Sequence, residues 1–167
     1  MADYMGDVGG DQMAVTDPAD LLGVIRQERG KKFIYARAGA ALTHNTPYGL
    51  IHEGGTGATI ATSDPVVKGL LSTAVYQLVC VPVFRSMDDD DTGWFQIQGM
   101  VTDMVMPSVD WTATYPLKVD GGALAVSASA VPSNGEKELG HIVKRASTGA
   151  VTKADVFLYG IRVLTET

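Results

Sequence analysis

The chain has 167 residues, a formal net charge of −6 at pH 7, and 46% hydrophobic against 19% charged residues. This length suits one domain whose core needs no disulfide or metal, and the composition excludes a chain that is disordered throughout. The 13 basic residues are scattered singly or in pairs, which argues against a nucleic-acid partner because phosphate contacts need clustered Lys and Arg.

The first 16 residues contain three glycines and three aspartates and no Leu, Ile, Phe or Trp. Such a segment cannot bury enough apolar surface on its own to offset the entropy lost on ordering. We therefore predict an extended N-terminal arm over 1–16 and one domain over 17–167. Composition leaves open whether the arm is frayed or becomes ordered against a partner. With no signal-peptide pattern and no run of ~20 apolar residues, we expect synthesis in the cytoplasm and no membrane partner.

A short helix is one interpretation of residues 18–29. Asp17 suits the N-cap, Pro18 the first helical position and Gly30 the residue after the helix. Gly23 and the two β-branched residues that follow it oppose this interpretation because they lower helix propensity. The pattern does not decide between the two.

From Lys31 onward, alternating apolar residues separated by turn residues predict a mainly β fold. Short strands at regular spacing indicate a single β-barrel or β-sandwich of antiparallel strands rather than βαβ units. The predicted strands cover 33–38, 48–52, 66–71 (a strand or one helical turn), 73–84, 93–107, 109–119, 123–131, 139–146 and 155–164.

The strand at 93–107 has the clearest period of two, which is typical of a half-buried strand. Its apolar face carries Phe95, Ile97 and Val101, and its polar face carries Gln96, Gln98 and Thr102. Gly99 predicts a bulge, a twist or a change of environment. Beyond it, the methionines at 100, 104 and 106 continue the face that the glutamines occupy.

The segment 73–84 is apolar on both faces, so both faces must be covered. This requires a central position in the fold or a contact with another subunit. We chose Val75, Tyr76, Val79 and Val81 as candidate contacts between protomers. Cys80 lies in the same run, which predicts a buried, unreactive thiol.

No residues form a pattern typical of a catalytic, metal or cofactor site. Asp88 and Asp90 match the first half of a calcium loop, but the twelfth position is Gly99 instead of a bidentate glutamate, so a solvated acidic loop at 88–91 is the expectation. The histidines have no metal-ligand spacing and are expected at the surface: His44, His52 and His141. Trp94 and Trp111 are expected in the core or an interface, with stacking on sugar rings as the alternative.

Four segments together resemble the small head-decoration, or cement, proteins of tailed bacteriophages. They are Gly-Lys-Lys-Phe-Ile-Tyr-Ala-Arg-Ala-Gly-Ala-Ala-Leu at 30–42, Gly-Trp-Phe-Gln-Ile-Gln-Gly at 93–99, Leu-Gly-His-Ile-Val at 139–143 and Val-Phe-Leu at 156–158. The resemblance extends over roughly residues 20–164 and rests on pattern and order.

The resemblance implies a β-barrel or sandwich that assembles, often as a trimer, on the outer surface of the capsid. Its implied partners are the major capsid protein and copies of itself, its location is the virion, and it has no catalytic residues. It also favours an extended chain over a helix around 21–24. We expect the arm to contact the capsid through Tyr4, Met5 and Met13.

The alternative function is a carbohydrate-binding or adhesive β-module. It would use Trp94 and Trp111, and calcium at Asp88–Asp91. An enzyme is not expected, because no acid–base or nucleophile arrangement is present in the sequence.

Overall fold

The computed structural model describes residues 21–52, 65–70, 76–110, 116–120, 122–126, 138–145, 150–160 and 162–164. The predicted arm with Tyr4, Met5 and Met13 lies outside these ranges, as do Val75 and Trp111. The domain boundary predicted at residue 17 also lies outside them.

The described residues form a mainly β structure without an α-helix. Its strands are β1 Ile25–Glu28, β2 Lys31–Ala38, β3 Tyr48–His52, β4 Pro65–Lys68, β5 Tyr76–Cys80, β6 Thr92–Asp110, β7 Pro116–Asp120, β8 Ala123–Val126, β9 Gly140–Arg145, β10 Ala150–Leu158 and β11 Arg162–Leu164.

Hydrogen bonds join the strands into one sheet that curls into a half-barrel. The order is β11-β5-β3-β4-β2-β6-β10-β9-β7-β8, and β1 pairs with β2 beside this path. After β5, the chain contacts β6 through an isolated β-bridge between Val81 and Gln96. The predicted barrel-like β fold is confirmed, although the expectation of antiparallel strands needs one correction: β2 and β4 run parallel.

Strand β6 is the centre of the fold, because its two halves belong to different environments. Up to Gln98 it pairs with β2, and from Gly99 it pairs with β10. The change predicted at Gly99 is confirmed. Gly99 has a φ of +93°, and a Cβ there would lie 2.7 Å from the carbonyl oxygen of Gly30, so only glycine fits without strain.

The buried hydrophobic side chains of the described residues form two cores. The N-terminal core contains Ile34, Ala36, Ala38, Leu42, Leu50, Val67, Cys80, Met87, Phe95 and Ile97. The C-terminal core contains Val79, Val81, Val101, Met104, Met106, Leu117, Val119, Leu124, Leu139, Ile142, Ala154, Val156 and Leu158. Both cores include residues of β6, so this strand joins them.

The apolar faces of β5 are both covered inside the chain. Cys80 packs in the N-terminal core, whereas its neighbours Val79 and Val81 pack in the C-terminal core. Alternation along an extended chain directs successive side chains to opposite sides, and here each side has a core. Of the two explanations left open by the sequence, a central position is the one the structure supports.

Two expectations about individual elements need correction. The helix over 18–29 is wrong for residues 25–28, which form strand β1 against β2. The final strand predicted over 155–164 is two strands, β10 and β11. The chain leaves the extended conformation between them at Gly160, whose φ is +69°.

The predicted polar face of β6 also needs correction, because Gln96 is fully buried. It pairs with Phe33 on β2, and the bridge to Val81 flanks it on its other side. Its Nε2 donates hydrogen bonds to the carbonyl oxygens of Gln98 at 3.2 Å and Met100 at 2.9 Å. The amide therefore binds the main chain around the bend at Gly99.

A bulge changes the face of the methionines that follow. Val101 pairs with Val156 and Met104 pairs with Ala154, so three steps on β6 match two on β10. The extra residue reverses the alternation, which places Met104 on the core side with Val101 rather than opposite it. Asp103, at the bulge, has a φ of +53°.

Candidate functional site

One face of strands β1, β2 and β6 carries an arginine and three aromatic side chains, and a fourth aromatic side chain packs against them from the segment between β5 and β6. We call this cluster the aromatic face and define it as Arg26, Phe33, Tyr35, Phe84 and Trp94. Register explains the grouping: Arg26 lies opposite Phe33, and Tyr35 lies opposite Trp94. Directly opposite residues of antiparallel strands share a face of the sheet, so the strand pairing aligns these side chains.

The rings of the aromatic face contact one another in pairs. Phe33 and Phe84 stack with ring centres 5.6 Å apart, and Tyr35 meets Trp94 edge-on at 5.2 Å. The Tyr35 hydroxyl lies 3.1 Å from Oγ1 of Thr92. Offset and edge-to-face contacts of this kind are favourable because the ring edge is positive and the ring face negative.

The guanidinium of Arg26 lies over two of these rings. Its central carbon is 4.7 Å from the Trp94 ring centre and 5.5 Å from that of Phe33. The charge is therefore held against the negative faces of the rings, a contact that strengthens as water is excluded.

Two nitrogens of the Arg26 guanidinium lack a hydrogen-bond acceptor. Nε and Nη2 are both buried and unpartnered. The Glu28 carboxylate forms an ion pair with Nη2 at 3.8 Å, which is too long for a hydrogen bond. Buried donors without an acceptor are rare in folded proteins, and each one costs stability.

The exposed apolar side chains of the described residues are not confined to the aromatic face: Ile25 pairs with Ile34 and so shares the face of the N-terminal core. In the part of the chain that the structure describes, the large hydrophobic side chains with substantial exposure are Ile25 at 59%, Val143 at 50%, Val24 at 42% and Phe84 at 40%. Val24 and Ile25 lie at and before the start of β1, and Phe84 belongs to the aromatic face. Val143 is on β9, in the other half of the sheet.

The acidic loop at Asp88–Asp91 is organised by arginines and by its own main chain. Arg37 approaches Asp90 at 3.3 Å, and Arg85 approaches Asp91 at 3.5 Å. The main-chain N–H of Asp88 donates to Oδ2 of Asp91 at 3.1 Å. Over the described ranges, no group of three or more His, Cys, Asp or Glu side chains is placed to hold a metal ion.

Two of the three histidines have described side chains, and both are exposed as predicted. His44 Nε2 lies 2.9 Å from the carbonyl oxygen of Val83. His141 Nδ1 lies 2.9 Å from the Tyr159 hydroxyl, and its ring stacks on Phe157 at 5.7 Å. Partial burial, and then the nearby Glu138 carboxylate, raise the pKa of Tyr159. These contacts tie strand β9 to the end of β10.

The residues predicted to contact a second protomer have a different environment from the one expected. Val79 and Val81 are 3% and 0% exposed in the C-terminal core, so neither side chain is available at the surface for another subunit. Tyr76 lies on β5, where its main chain pairs with Leu164. Its side chain is not among those that the structure describes. Val79 and Val81 are buried because each face of β5 is covered by one of the two cores.

Cys80 is fully buried, as the sequence predicted. Burial raises the pKa of its thiol well above the ordinary value of 9.0, since the thiolate would be desolvated in the core. No helix within the described residues is long and apolar enough to cross a bilayer.

The sequence patterns alone do not single out Arg26 or Phe84. The signal for Arg26 was available in the period of two: if 25–28 are read as a strand paired with β2, Arg26 falls opposite Phe33. No comparable signal exists for Phe84, because a stacking contact from a connecting segment depends on how the chain folds back. Comparisons of the chain with models of protein families, with curated protein sequences and with solved structures found no match.

Proposed function

We propose that this chain is a decoration, or cement, protein that binds the outer surface of a tailed-bacteriophage head and stabilises the lattice of the major capsid protein. The observation that carries the proposal is the exposed ring of Phe84 on the aromatic face, in a chain whose sequence resembles such proteins. An aromatic side chain held at the surface is typical of a protein contact site.

The architecture suits a part that must resist deformation. Strand β6 runs through both cores, so the two halves of the sheet share one continuous backbone. A packed interior transmits strain because it has low compressibility. A module of this kind, bound across a junction between shell subunits, would oppose their separation.

The mechanism we propose is stabilisation by selective binding. A ligand that binds one state of an equilibrium and not the other stabilises the bound state by mass action. A decoration protein that contacts two neighbouring subunits at once has its full contact area only in the closed lattice. The net charge of −6 and the scattered basic residues favour the outside of the shell over the DNA-facing inside.

The aromatic face is the surface we expect to contact the capsid. Phe84 is 40% exposed and stacks on the buried Phe33, so its ring is held in place before any partner arrives. A pre-ordered ring loses little conformational entropy on binding, and aromatic side chains of this kind often contribute much of the energy of an interface.

Co-sedimentation with DNA-emptied, undecorated phage heads tests the proposal. We expect saturable binding by the full chain and markedly weaker binding by Phe84→Ser. Val143→Ser is the matched control, since it removes a side chain of similar exposure from β9 and should bind like the unmodified chain. Failure of the full chain to bind any emptied head would contradict the function, and equal loss in both variants would contradict the choice of surface.

The arm remains a second proposed capsid contact. Tyr4, Met5 and Met13 are large side chains of this segment that would supply apolar contacts. Deleting 1–16 should lower capsid occupancy while the thermal stability of the domain is unchanged. Full occupancy after the deletion would remove the arm from the contact.

Assembly as a trimer, with the major capsid protein as the partner, is also part of this proposal. The carbohydrate-binding alternative gains no support from the aromatic face, because the Trp94 ring is already in contact with Arg26 and Tyr35. Its proposed calcium loop has Asp90 and Asp91 in ion pairs with arginines. A glycan array with and without chelator separates the two functions, since calcium-dependent hits would support only the alternative.

A further inference from the structure

We propose that strand β1 pairs with β1 of a second copy of this chain. The two strands run antiparallel about a two-fold axis that passes through Gln27, so the sheets of two copies join edge to edge. The inference rests on the free edge of β1 and on its charge pattern. It does not depend on capsid binding.

The outward edge of β1 is available for hydrogen bonding. In the described part of the chain, β1 pairs only with β2. The Tyr35 N–H donates to the carbonyl oxygen of Val24 at 2.9 Å, which fixes the side of Val24 that faces β2. Main-chain groups of successive residues point to opposite sides of a strand, so those of Arg26 also face β2, whereas those of Ile25 and Gln27 point outward.

A two-fold axis at Gln27 satisfies this edge symmetrically. The N–H of Gln27 in each copy donates to the carbonyl oxygen of Gln27 in the other, forming a hydrogen-bonded pair of the ladder. A contact between identical patches must be self-complementary, because each residue meets its counterpart in reverse order. The sequence of β1 meets this condition.

The same register places opposite charges together. With Gln27 opposite Gln27, Arg26 of each copy lies opposite Glu28 of the other, so the contact contains two Arg26–Glu28 pairs. Arg26 and Glu28 alternate with Gln27 and so share one face of β1. These pairs fall at the non-hydrogen-bonded positions, where the Cα atoms are closer and the side chains interact more strongly.

The exposure of an apolar side chain agrees with association at this edge. Ile25, 59% exposed on this edge, would lose water contact in the pair. Bare edges with exposed apolar residues are the ones that join other strands.

Sedimentation equilibrium of the full chain over a wide concentration range tests the inference. We expect a reversible two-fold association, which joins two monomers or, where the proposed trimer forms through another surface, two trimers. Gln27→Pro removes the outward N–H but no bond to β2, so it should abolish this association. Gln27→Ala keeps the N–H and is the matched control, which should associate like the unmodified chain.

Charge variants test the register independently of the backbone. Glu28→Arg places two arginines opposite each other at both positions and should weaken association by about tenfold or more. The double variant Arg26→Glu with Glu28→Arg restores opposite charges in the exchanged order, so it should recover most of the loss. Thermal melting of each variant identifies any that fail to fold.

A chain that stays monomeric at every concentration would overturn the inference. So would an assembly that Gln27→Pro and Glu28→Arg leave unchanged, including a trimer built through another surface. If the contact is found and emptied heads are not bound, the inference stands and the proposed function fails. If the chain binds heads but shows no β1 association, the proposed function stands and the proposed β1 contact fails.

Discussion

The side-chain amide of Gln96 donates to the main-chain carbonyl of Met100 at 2.9 Å, across the bend that Gly99 makes in strand β6. A polar side chain is thus buried at the point where the central strand leaves one core and enters the other. Its Oε1 has no partner. The bend therefore depends on the two donated bonds and carries the cost of one unpaired acceptor.

Gln96→Met should lower the free energy of unfolding by about 1–3 kcal/mol, since it keeps the volume but removes both hydrogen bonds that the buried amide donates to the main chain. Urea unfolding measures the change. Gln98→Met makes the same chemical change at a partly exposed neighbour and should cost less than about 0.5 kcal/mol. An increase in stability for Gln96→Met would mean that the unpaired Oε1 outweighs both bonds.

Gly140→Ala should be strongly destabilising. A Cβ at this position would lie 2.3 Å from the carbonyl oxygen of Phe157, on the neighbouring strand β10. Because main chain cannot move as a side chain does, we expect a loss of about 1–3 kcal/mol or more. Gly69→Ala is the control: no atom lies within 4 Å of its Cβ, so its effect should be small. Equal effects would mean that β9 can shift away from β10.

Asn45→Ala should cost about 1–2 kcal/mol more than Asn45→Gly. Asn45 has a φ of +57°, and its Nδ2 donates to the carbonyl oxygen of Thr102 at 3.3 Å. Both variants lose that bond, but only alanine strains the left-handed backbone. Chemical unfolding of the pair separates the conformational cost from the bond. Identical stabilities would show that the turn relaxes to another conformation.

Cys80 should make the chain less stable in alkali. The folded state keeps the thiol proton because burial raises its pKa, whereas the unfolded chain loses it near pH 9. Above that pH the unfolded state binds fewer protons, so this group alone lowers the free energy of unfolding by about 1.4 kcal/mol per pH unit. Below the unfolded pKa its contribution is fully present.

Cys80→Ala provides the measurement. The variant loses some stability at every pH through the smaller side chain, but it lacks the thiol titration. The stability difference between the unmodified chain and the variant should therefore shrink as the pH rises from about 8 to about 10.5. A constant difference would indicate that the thiol ionises in the folded chain as easily as in the unfolded one.

Arg26→Leu should destabilise the aromatic face by about 1–2 kcal/mol through the lost contact with Trp94 and Phe33, and Arg26→Lys should retain part of it. Thermal unfolding and Trp fluorescence measure the two variants. If Arg26→Leu is more stable than the unmodified chain, the unpaired guanidinium nitrogens outweigh the cation–ring contacts.

Sequence patterns predicted the elements whose periodicity is local. Strand β3 was predicted with its observed bounds, and β2 and the stretch of β6 around Phe95 were close to them. Alternation and turn residues suffice there, since each strand is specified by its own neighbours. The same holds for Cys80, which needed only an apolar run around it.

The remaining features depend on partners distant in sequence. Helix-capping residues at Asp17 and Pro18 suggested a helix, but pairing with β2 determines the conformation of Ile25–Glu28. Gln96 looked like a surface residue because alternation cannot show that a bridge from Val81 covers it. The bulge at Asp103 is likewise invisible, since it exists only relative to β10. The aromatic face required the register of three strands and a contact from Phe84.

The partition of the two cores has a consequence for synthesis on the ribosome. Every member of the N-terminal core precedes residue 98, whereas the C-terminal core combines Val79 and Val81 with strands as late as β10. A nascent chain can complete the first core while the partners of these two valines are still being translated. Strand β6 can cover part of this side of β5 early, but the C-terminal core is complete only when β9 and β10, in the last quarter of the chain, have emerged.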